Sequence, residues 1–369
     1  MNLPQLRRFA NSYLSCMGKA RILVRGVSTF FAALIFLSIT GCTAMAPSDA
    51  TKLNTEEFMI PASDAGLQLY LRNKTPSDMK MFSAEKTVLF VHGATYPSEI
   101  YFDLKVGGFS WMDYLASRGY DVYMLDVRGY GRSTRPASMS QAPSANPPFA
   151  NTEEASRDIS AAVDFILKRR GVSKLNLLGW SWGTTTTALY TTRNNALINK
   201  LVLFAPVWVP PSITPVPPAP TTAYRTVTVE AAKERWYRGV PADKQASLIP
   251  AGWFDTWAKA MLESDPEGAK QSPPVLRAPN GVMVDILGGW LKGQRLYDAA
   301  ALRVPTLLIK AEWDADTPAY MAQGLFAEMK NAPYKSYLEI GEGTHTVLVE
   351  KNRLQLFRAV QSFLDDPAP

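Results

Sequence analysis

The chain has little of two residue types that carry much of protein chemistry. Its 369 residues include two cysteines, Cys16 and Cys42, and two histidines, His92 and His345. Both cysteines fall within the first 42 residues, so the rest of the chain has no disulfide, no thiol nucleophile and no cysteine-based metal cluster. The scarcity of histidine argues against a histidine-rich metal site, and no metal or cofactor is expected. Acidic residues are missing from 1–41, which carries Arg7, Arg8, Lys19, Arg21 and Arg25. The apolar run after those charges, "VSTFFAALIFLSI" from Val27 to Ile39, is shorter than the roughly 20 residues that span a bilayer. A basic segment leading into a short apolar one predicts a secretory signal over 1–41, with Met17 as an alternative start. Five of the 39 basic residues belong to it, leaving 34 against 33 acidic, so a formal charge of +6 becomes +1. The basic balance therefore describes targeting, and no nucleic-acid partner is expected.

The leader ends at "ITGC", Ile39 to Cys42, which resembles the bacterial lipoprotein processing box. That resemblance implies lipidation of Cys42 and a cell-envelope protein tethered to a membrane, on the periplasmic side or at the outer membrane. Two or three acyl chains on one residue are enough for stable anchoring.

The whole chain is 47% hydrophobic and 20% charged, enough to bury a large core. After a polar linker over 42–55, short β-branched runs alternate with helical patterns, which predicts a mostly parallel sheet covered by helices. The expected strands begin near Lys86, Tyr120, Lys174, Lys200, Val304 and Tyr334, with one or two antiparallel strands ahead of them around 57–74. A helix is expected from a Thr152 cap to a stop at Gly171. The pattern breaks over 209–302, which opens on the proline-rich "VPPSITPVPPAP" and continues in short helical pieces holding Trp236, Tyr237, Trp253, Phe254, Trp257 and Trp290. The strand pattern resumes at Val304, so 209–302 reads as a lid inserted between core segments 56–208 and 303–369.

"GWSWG", Gly179 to Gly183, matches the G-x-S-x-G nucleophile elbow and comes after an apolar strand pattern, ahead of the helical "TTTTALYTT". A serine hydroxyl needs a base to attack at neutral pH, and a histidine oriented by a carboxylate supplies one. His345, in a loop before "NRLQLFRAVQSFL", gives the order serine, acid, histidine that this architecture requires; His92, at the end of an early strand, is expected to shape a loop. "AEWDADTP" offers Glu312, Asp314 and Asp316 as the acid, with Asp314 preferred and Asp316 second. The segment 205–229 holds no carboxylate, which argues against an acid one strand earlier. Oxyanion donors are expected from the N–H groups of Trp182 and of Ala94, in "HGATY".

Together "HGAT", "DVRGYGRS", the elbow and "EWD…GTH" resemble the α/β-hydrolases from about Glu56 onward. The resemblance implies that fold, a Ser181–Asp314–His345 triad, and loop-supporting roles for Asp126 and Arg128. "GWSWGT" and "DVRGYGRS" are also similar to the proline iminopeptidases, which carry "HGGPG" where this chain has "HGATYP". Ser181 excludes a direct match to the aspartate-nucleophile dehalogenases and epoxide hydrolases. The expected function is hydrolysis of carboxylic esters bearing an apolar or aromatic group, with an aromatic lid beside Trp180 and Trp182. An amide or lactone hydrolase or aminopeptidase on the same residues, and a non-catalytic envelope binding module, are the alternatives.

Overall fold

The computed structural model describes residues 51–367 apart from 211, 213 and 214. The expected signal over 1–41, Cys42 and the first part of the linker lie outside the described residues. The described chain is organised around an eight-stranded sheet. Its strands are β1 (Leu53–Pro61), β2 (Gln68–Pro76), β3 (Thr87–Val91), β4 (Asp121–Asp126), β5 (Leu175–Trp180), β6 (Ile198–Phe204), β9 (Thr306–Ala311) and β10 (Lys335–Ile340). The strands β7 (Tyr224–Thr228) and β8 (Val275–Pro279) form a separate antiparallel pair.

The spatial order is β1-β2-β4-β3-β5-β6-β9-β10. The first three strands in that order pair antiparallel and the rest pair parallel. Side chains alternate across a strand, and here the alternation sorts two cores. Val88, Phe90, Val122, Met124, Leu178 and Phe204 face one layer, while Leu89, Val91, Tyr123, Leu125, Leu177 and Leu203 face the other. Burial on both faces is why these segments read as unbroken apolar runs rather than alternating ones.

Helices cover both faces: α1 (Trp111–Ala116), α2 (Thr152–Arg170), α3 (Trp182–Arg193), α4 (Val229–Trp236), α5 (Trp253–Glu263), α6 (Ala319–Glu328) and α7 (Arg353–Asp365). The cap of α2 is Asn151, one residue before the expected Thr152. Asn151 is extended and accepts from Glu154 N, while the Glu154 side chain accepts from Asn151 N, completing a capping box. Thr152 instead begins the helix and bonds through its N and Oγ1 to Asp285, both at 2.6 Å. Gly171 ends the helix in the left-handed region, as the sequence predicts.

Between β6 and β9 the chain leaves the sheet. The proline-rich stretch carries no helix or strand among its described residues, and β7, α4, α5 and β8 come after it. The β7–β8 pair was not legible in the sequence. Each strand is five residues long and its partner lies on the far side of four helices, two of them single turns, so no local signal joins them. Among the described residues no helix is long and apolar enough to cross a membrane.

The connections from β3 run to opposite sides: β4 lies on one flank and β5 on the other. At such a switch point the loops leaving neighbouring parallel strands diverge, and a crevice opens at the strands' carboxyl ends. Ser181 and the His92–Tyr96 loop both sit at that crevice, since Val91 is in register with Gly179.

Candidate active site

Ser181 occupies the single residue between β5 and α3, with φ 57° and ψ −124°. A side chain in this region costs on the order of 1–3 kcal/mol, so its surroundings must impose it. They do so through hydrogen bonds: Ser181 N donates to Phe204 O at 2.9 Å, and Ser181 O accepts from Thr184 N at 2.8 Å and Thr184 Oγ1 at 2.5 Å. Thr184 Oγ1 in turn accepts from Val207 N at 3.0 Å, which ties the turn to the loop after β6. Gly183 is required by close approach, because a Cβ there would lie 2.6 Å from the carbonyl oxygens of Val91 and His92. Gly93 packs on the nucleophile's own side chain: a Cβ on it would come 2.7 Å from Ser181 Cβ.

The side chains around Ser181 form a hydrogen-bonded chain. Ser181 Oγ lies 2.8 Å from His345 Nε2, and His345 Nδ1 lies 2.9 Å from Asp314 Oδ2. Asp314 accepts three further bonds, from Asp316 N and Thr317 N at 2.9 Å and Thr317 Oγ1 at 2.6 Å. Burial pushes its carboxyl toward protonation, but the His345 and Thr317 contacts outweigh that and hold its pKa below the usual carboxylate range. Asp316 turns away, pairing with Arg235 at 2.8 Å and Arg238 at 3.4 Å.

The loops bearing these groups are cross-braced. Glu312 N and Trp313 N, after β9, donate to Ile340 O and Gly343 O, after β10. Trp180 Nε1 donates to His345 O at 3.1 Å. Buried Glu350 accepts from Thr344 N and Thr346 Oγ1 on either side of His345, both at 3.0 Å, and from Trp236 Nε1 of α4 at 2.6 Å. Burial raises the pKa of Glu350, against the pull of those donors. Sequence reasoning passed over Glu350 and Thr317. Their only local signal is proximity to the histidine and acid segments.

His92 is placed differently. Val127 N donates to its Nε2 at 3.1 Å, which leaves Nδ1 as the donor to Gly93 O at 2.7 Å. Full burial pulls its pKa down to about 4, so the ring is neutral and fixed in one tautomer. Asp126 accepts from Ser98 N at 2.8 Å and Arg132 N at 3.0 Å, and Arg128 grips Asp158; both hold loops.

A cavity of about 480 Å³ opens over Ser181, reached by Ala94 and Trp182 and walled by aliphatic side chains such as Val207, Ile286 and Met321. Trp182 is the first residue of α3, so its N–H has no intrahelical acceptor. Trp182, Trp290 and Tyr320 also line it, whereas the other aromatics of 209–302 do not. Trp236, Phe254 and Trp257 pack on one another and on Tyr96 and Tyr101, around a cleft of about 20 Å³ beside His345. Trp182 is likewise buried, its Nε1 donating to Thr152 Oγ1 at 2.9 Å. Among the described residues no group of three His, Cys, Asp or Glu side chains is arranged to hold a metal ion.

A family model described as alpha/beta hydrolase fold matches residues 86–351. The chain belongs to that family. Its mostly parallel sheet and flanking helices are those the sequence predicts, and family membership makes it a hydrolase-fold protein suited to a small-molecule substrate. A proline iminopeptidase from Neisseria gonorrhoeae is 23% identical over 268 residues, covering 66% of this chain and 80% of its own. Two solved esterases share the fold. The Thermogutta terrifontis enzyme superposes with TM-score 0.51 at 18% identity, covering 84% of this chain and 98% of its own. The Exiguobacterium antarcticum enzyme has TM-score 0.54 at 16% identity, covering 84% and 100%.

Proposed function

We propose that the protein is a serine hydrolase of carboxylic esters that works through an acyl-enzyme. The observation that carries this reading is the unbroken chain from Ser181 Oγ through His345 to Asp314, beside a cavity with apolar and charged walls. His345 Nε2 takes the hydroxyl proton as Oγ attacks the carbonyl carbon. The N–H groups of Ala94 and Trp182 receive the oxyanion, being fixed before charge develops. The C–O bond breaks as His345 returns the proton to the departing alcohol. Water then attacks the acyl-enzyme, again losing a proton to His345, and releases the acid and free Ser181. Asp314, kept ionised, holds Nδ1–H and stabilises the imidazolium at each step.

Trp182, Trp290 and Tyr320 share the cavity wall with aliphatic side chains, so the site suits an aliphatic or an aromatic group. An amide or lactone would use the same residues. An aminopeptidase would need a carboxylate for the free α-ammonium: of those lining the cavity, Asp316 is paired with Arg235 and Arg238, whereas Asp285 accepts only from Thr152 and is open to that role. We also propose that lipidation at Cys42 tethers the hydrolase to an envelope membrane, supported by the basic leader and "ITGC".

The test is turnover of acyl esters of increasing chain length, alongside amino-acid anilides, by protein from Thr43 onward with Ser181→Ala as control. Ester hydrolysis abolished in the variant supports the reading. Anilide turnover exceeding ester turnover favours the amide alternative, and folded protein inert toward all of them points to a binding module. For the tether, Cys42→Ala should abolish labelling by a palmitate analogue and move the protein out of the membrane fraction.

A further inference from the structure

The charges around the Ser181 cavity do not balance in an ordinary way. Arg225, Arg235 and Arg238 all line it. Arg235 and Arg238 share Asp316, whereas Arg225 has no carboxylate partner among the described residues. Its contacts are neutral: NH1 donates to Pro279 O at 2.6 Å and NH2 to Thr95 Oγ1 at 2.6 Å, with Asn280 Oδ1 at a marginal 3.4 Å.

That solitude is unusual in this molecule. Arg72, Arg128, Arg135, Arg170 and Arg277 are withdrawn from solvent to a similar or greater degree, and each meets at least one Asp or Glu. Arg353 is the other exception, and its guanidinium lies against the rings of Phe109, Trp253 and Phe357 at 4.5, 4.6 and 5.9 Å. Cation–π contact compensates there. Arg225 has no such ring over it, and it opens on the cavity instead. Burial accordingly lowers the pKa of Arg225. At Arg235 the same burial is outweighed by Asp316, and the pKa rises. A partly desolvated cation with donors left over favours an anion that arrives from outside.

Its location fixes what that anion belongs to. Thr95 adjoins Ala94 in the loop whose Gly93 packs on Ser181, and Thr95 itself is held at φ 81°. The β7–β8 pair carries Arg225 to that loop, with Arg225 opposite Ala278. An anion on Arg225 would therefore sit in the same cavity as the reacting carbonyl. A carboxylate fits better than a phosphate group, because its single charge matches one unpaired guanidinium, whereas a phosphate carries a charge of about −1.5 to −2.

We propose that Arg225 is a specificity-determining residue that binds a carboxylate of the substrate, making the substrate class esters that carry a free carboxylate beside an apolar segment. This inference rests on the serine-hydrolase reading of Ser181. It turns the lid into a selector: the sheet supplies the chemistry, and the β7–β8 pair supplies the charge that chooses the ester.

The experiment compares matched esters that differ only in a free or a methylated carboxylate. On the acyl side these are 4-nitrophenyl glutarate and 4-nitrophenyl methyl glutarate; on the alcohol side, 4-acetoxybenzoate and its methyl ester. Wild-type protein should favour the free carboxylate in kcat/KM in at least one pair. Arg225→Met should lower that preference by roughly 10- to 100-fold, the worth of a charge-assisted hydrogen bond, with Arg225→Lys intermediate. Glutarate should also protect Ser181 of wild-type protein from a fluorophosphonate probe, and inorganic phosphate should protect less; this readout needs no variant to fold. Ser181 labelled and neutral esters cleaved, with no carboxylate preference in either pair and no protection by glutarate, would overturn the role of Arg225 alone. Phosphate protecting better than glutarate would overturn the choice of carboxylate. Folded protein that neither labels at Ser181 nor cleaves any ester takes both readings down together.

Discussion

His92 and His345 stand at the carboxyl ends of strands in one sheet, each in a loop at the same crevice, yet they are in opposite situations. His92 spends both ring nitrogens on backbone groups, accepting from Val127 N and donating to Gly93 O. It has no atom left for a substrate, and burial keeps it neutral. His345 has a side chain at each nitrogen, a hydroxyl on one and a carboxylate on the other, and it borders an open cleft. The lesson is that a histidine's role is set by what its second nitrogen meets. Backbone at both ends makes a strut, whereas a carboxylate opposite a hydroxyl makes a proton relay.

The comparison breaks most visibly in activity. His345→Ala and Ser181→Ala should each lower kcat on a cleaved ester by roughly 10⁴- to 10⁶-fold with little change in folding, since members of such a unit fail together. Steady-state kinetics with a thermal melt on the same samples checks both halves. Next in size, Asp314→Asn should cost roughly 10³- to 10⁴-fold in kcat by presenting the wrong hydrogen-bond partner to Nδ1. Asp316→Asn should cost less than about tenfold, because that carboxylate faces Arg235 and Arg238 instead. A larger loss in Asp316→Asn than in Asp314→Asn would show that the acids had been assigned the wrong way round.

At His92 the effect should appear in stability. His92→Gln is expected to lose about 2–3 kcal/mol at pH 7.5, since a buried backbone pair loses its partners. The pH dependence has a definite sign. With a folded pKa of about 4 against an ordinary value near 6.5, the neutral ring contributes fully above pH 6.5. Its contribution is lost as pH falls toward 4, because the unfolded chain takes up the proton first. Urea melts at pH 7.5 and 5.0 should therefore show the gap between wild type and variant narrowing by about 2 kcal/mol. A gap that stays constant would mean that His92 is not held neutral. The smallest effect is expected from Trp180→Phe. Losing the indole donor to His345 O should cost about 1 kcal/mol and a few-fold in kcat.

How much of this could be read from the chain alone depends on the range of the interactions involved. Ser181 was legible because the elbow is local: a strand, two glycines at fixed spacing and a helix lie within about twenty residues. The central strands were legible because burial on both faces leaves a near-continuous apolar run. The Asn151 cap was missed by one residue, since Asn, Thr and two glutamates in succession offer competing caps and only the backbone turn decides among them. The lid aromatics were easy to count, but their direction could not be read. Trp236, Phe254 and Trp257 turned toward one another because a lid needs a core of its own.

By itself the sequence determined the fold class, the elbow around Ser181, the place of His345 after it in chain order and the scarcity of thiol and imidazole ligands. These are consequences of residue type, order and short-range spacing. Tertiary structure alone decided that Asp314 rather than Asp316 meets His345, that Glu350 braces the loop carrying it, and that Arg225 reaches the cavity without a carboxylate. Each of these turns on loops and strand pairs that are distant in the chain. Their positions are set by packing and hydrogen bonding across the sheet, which no local pattern encodes.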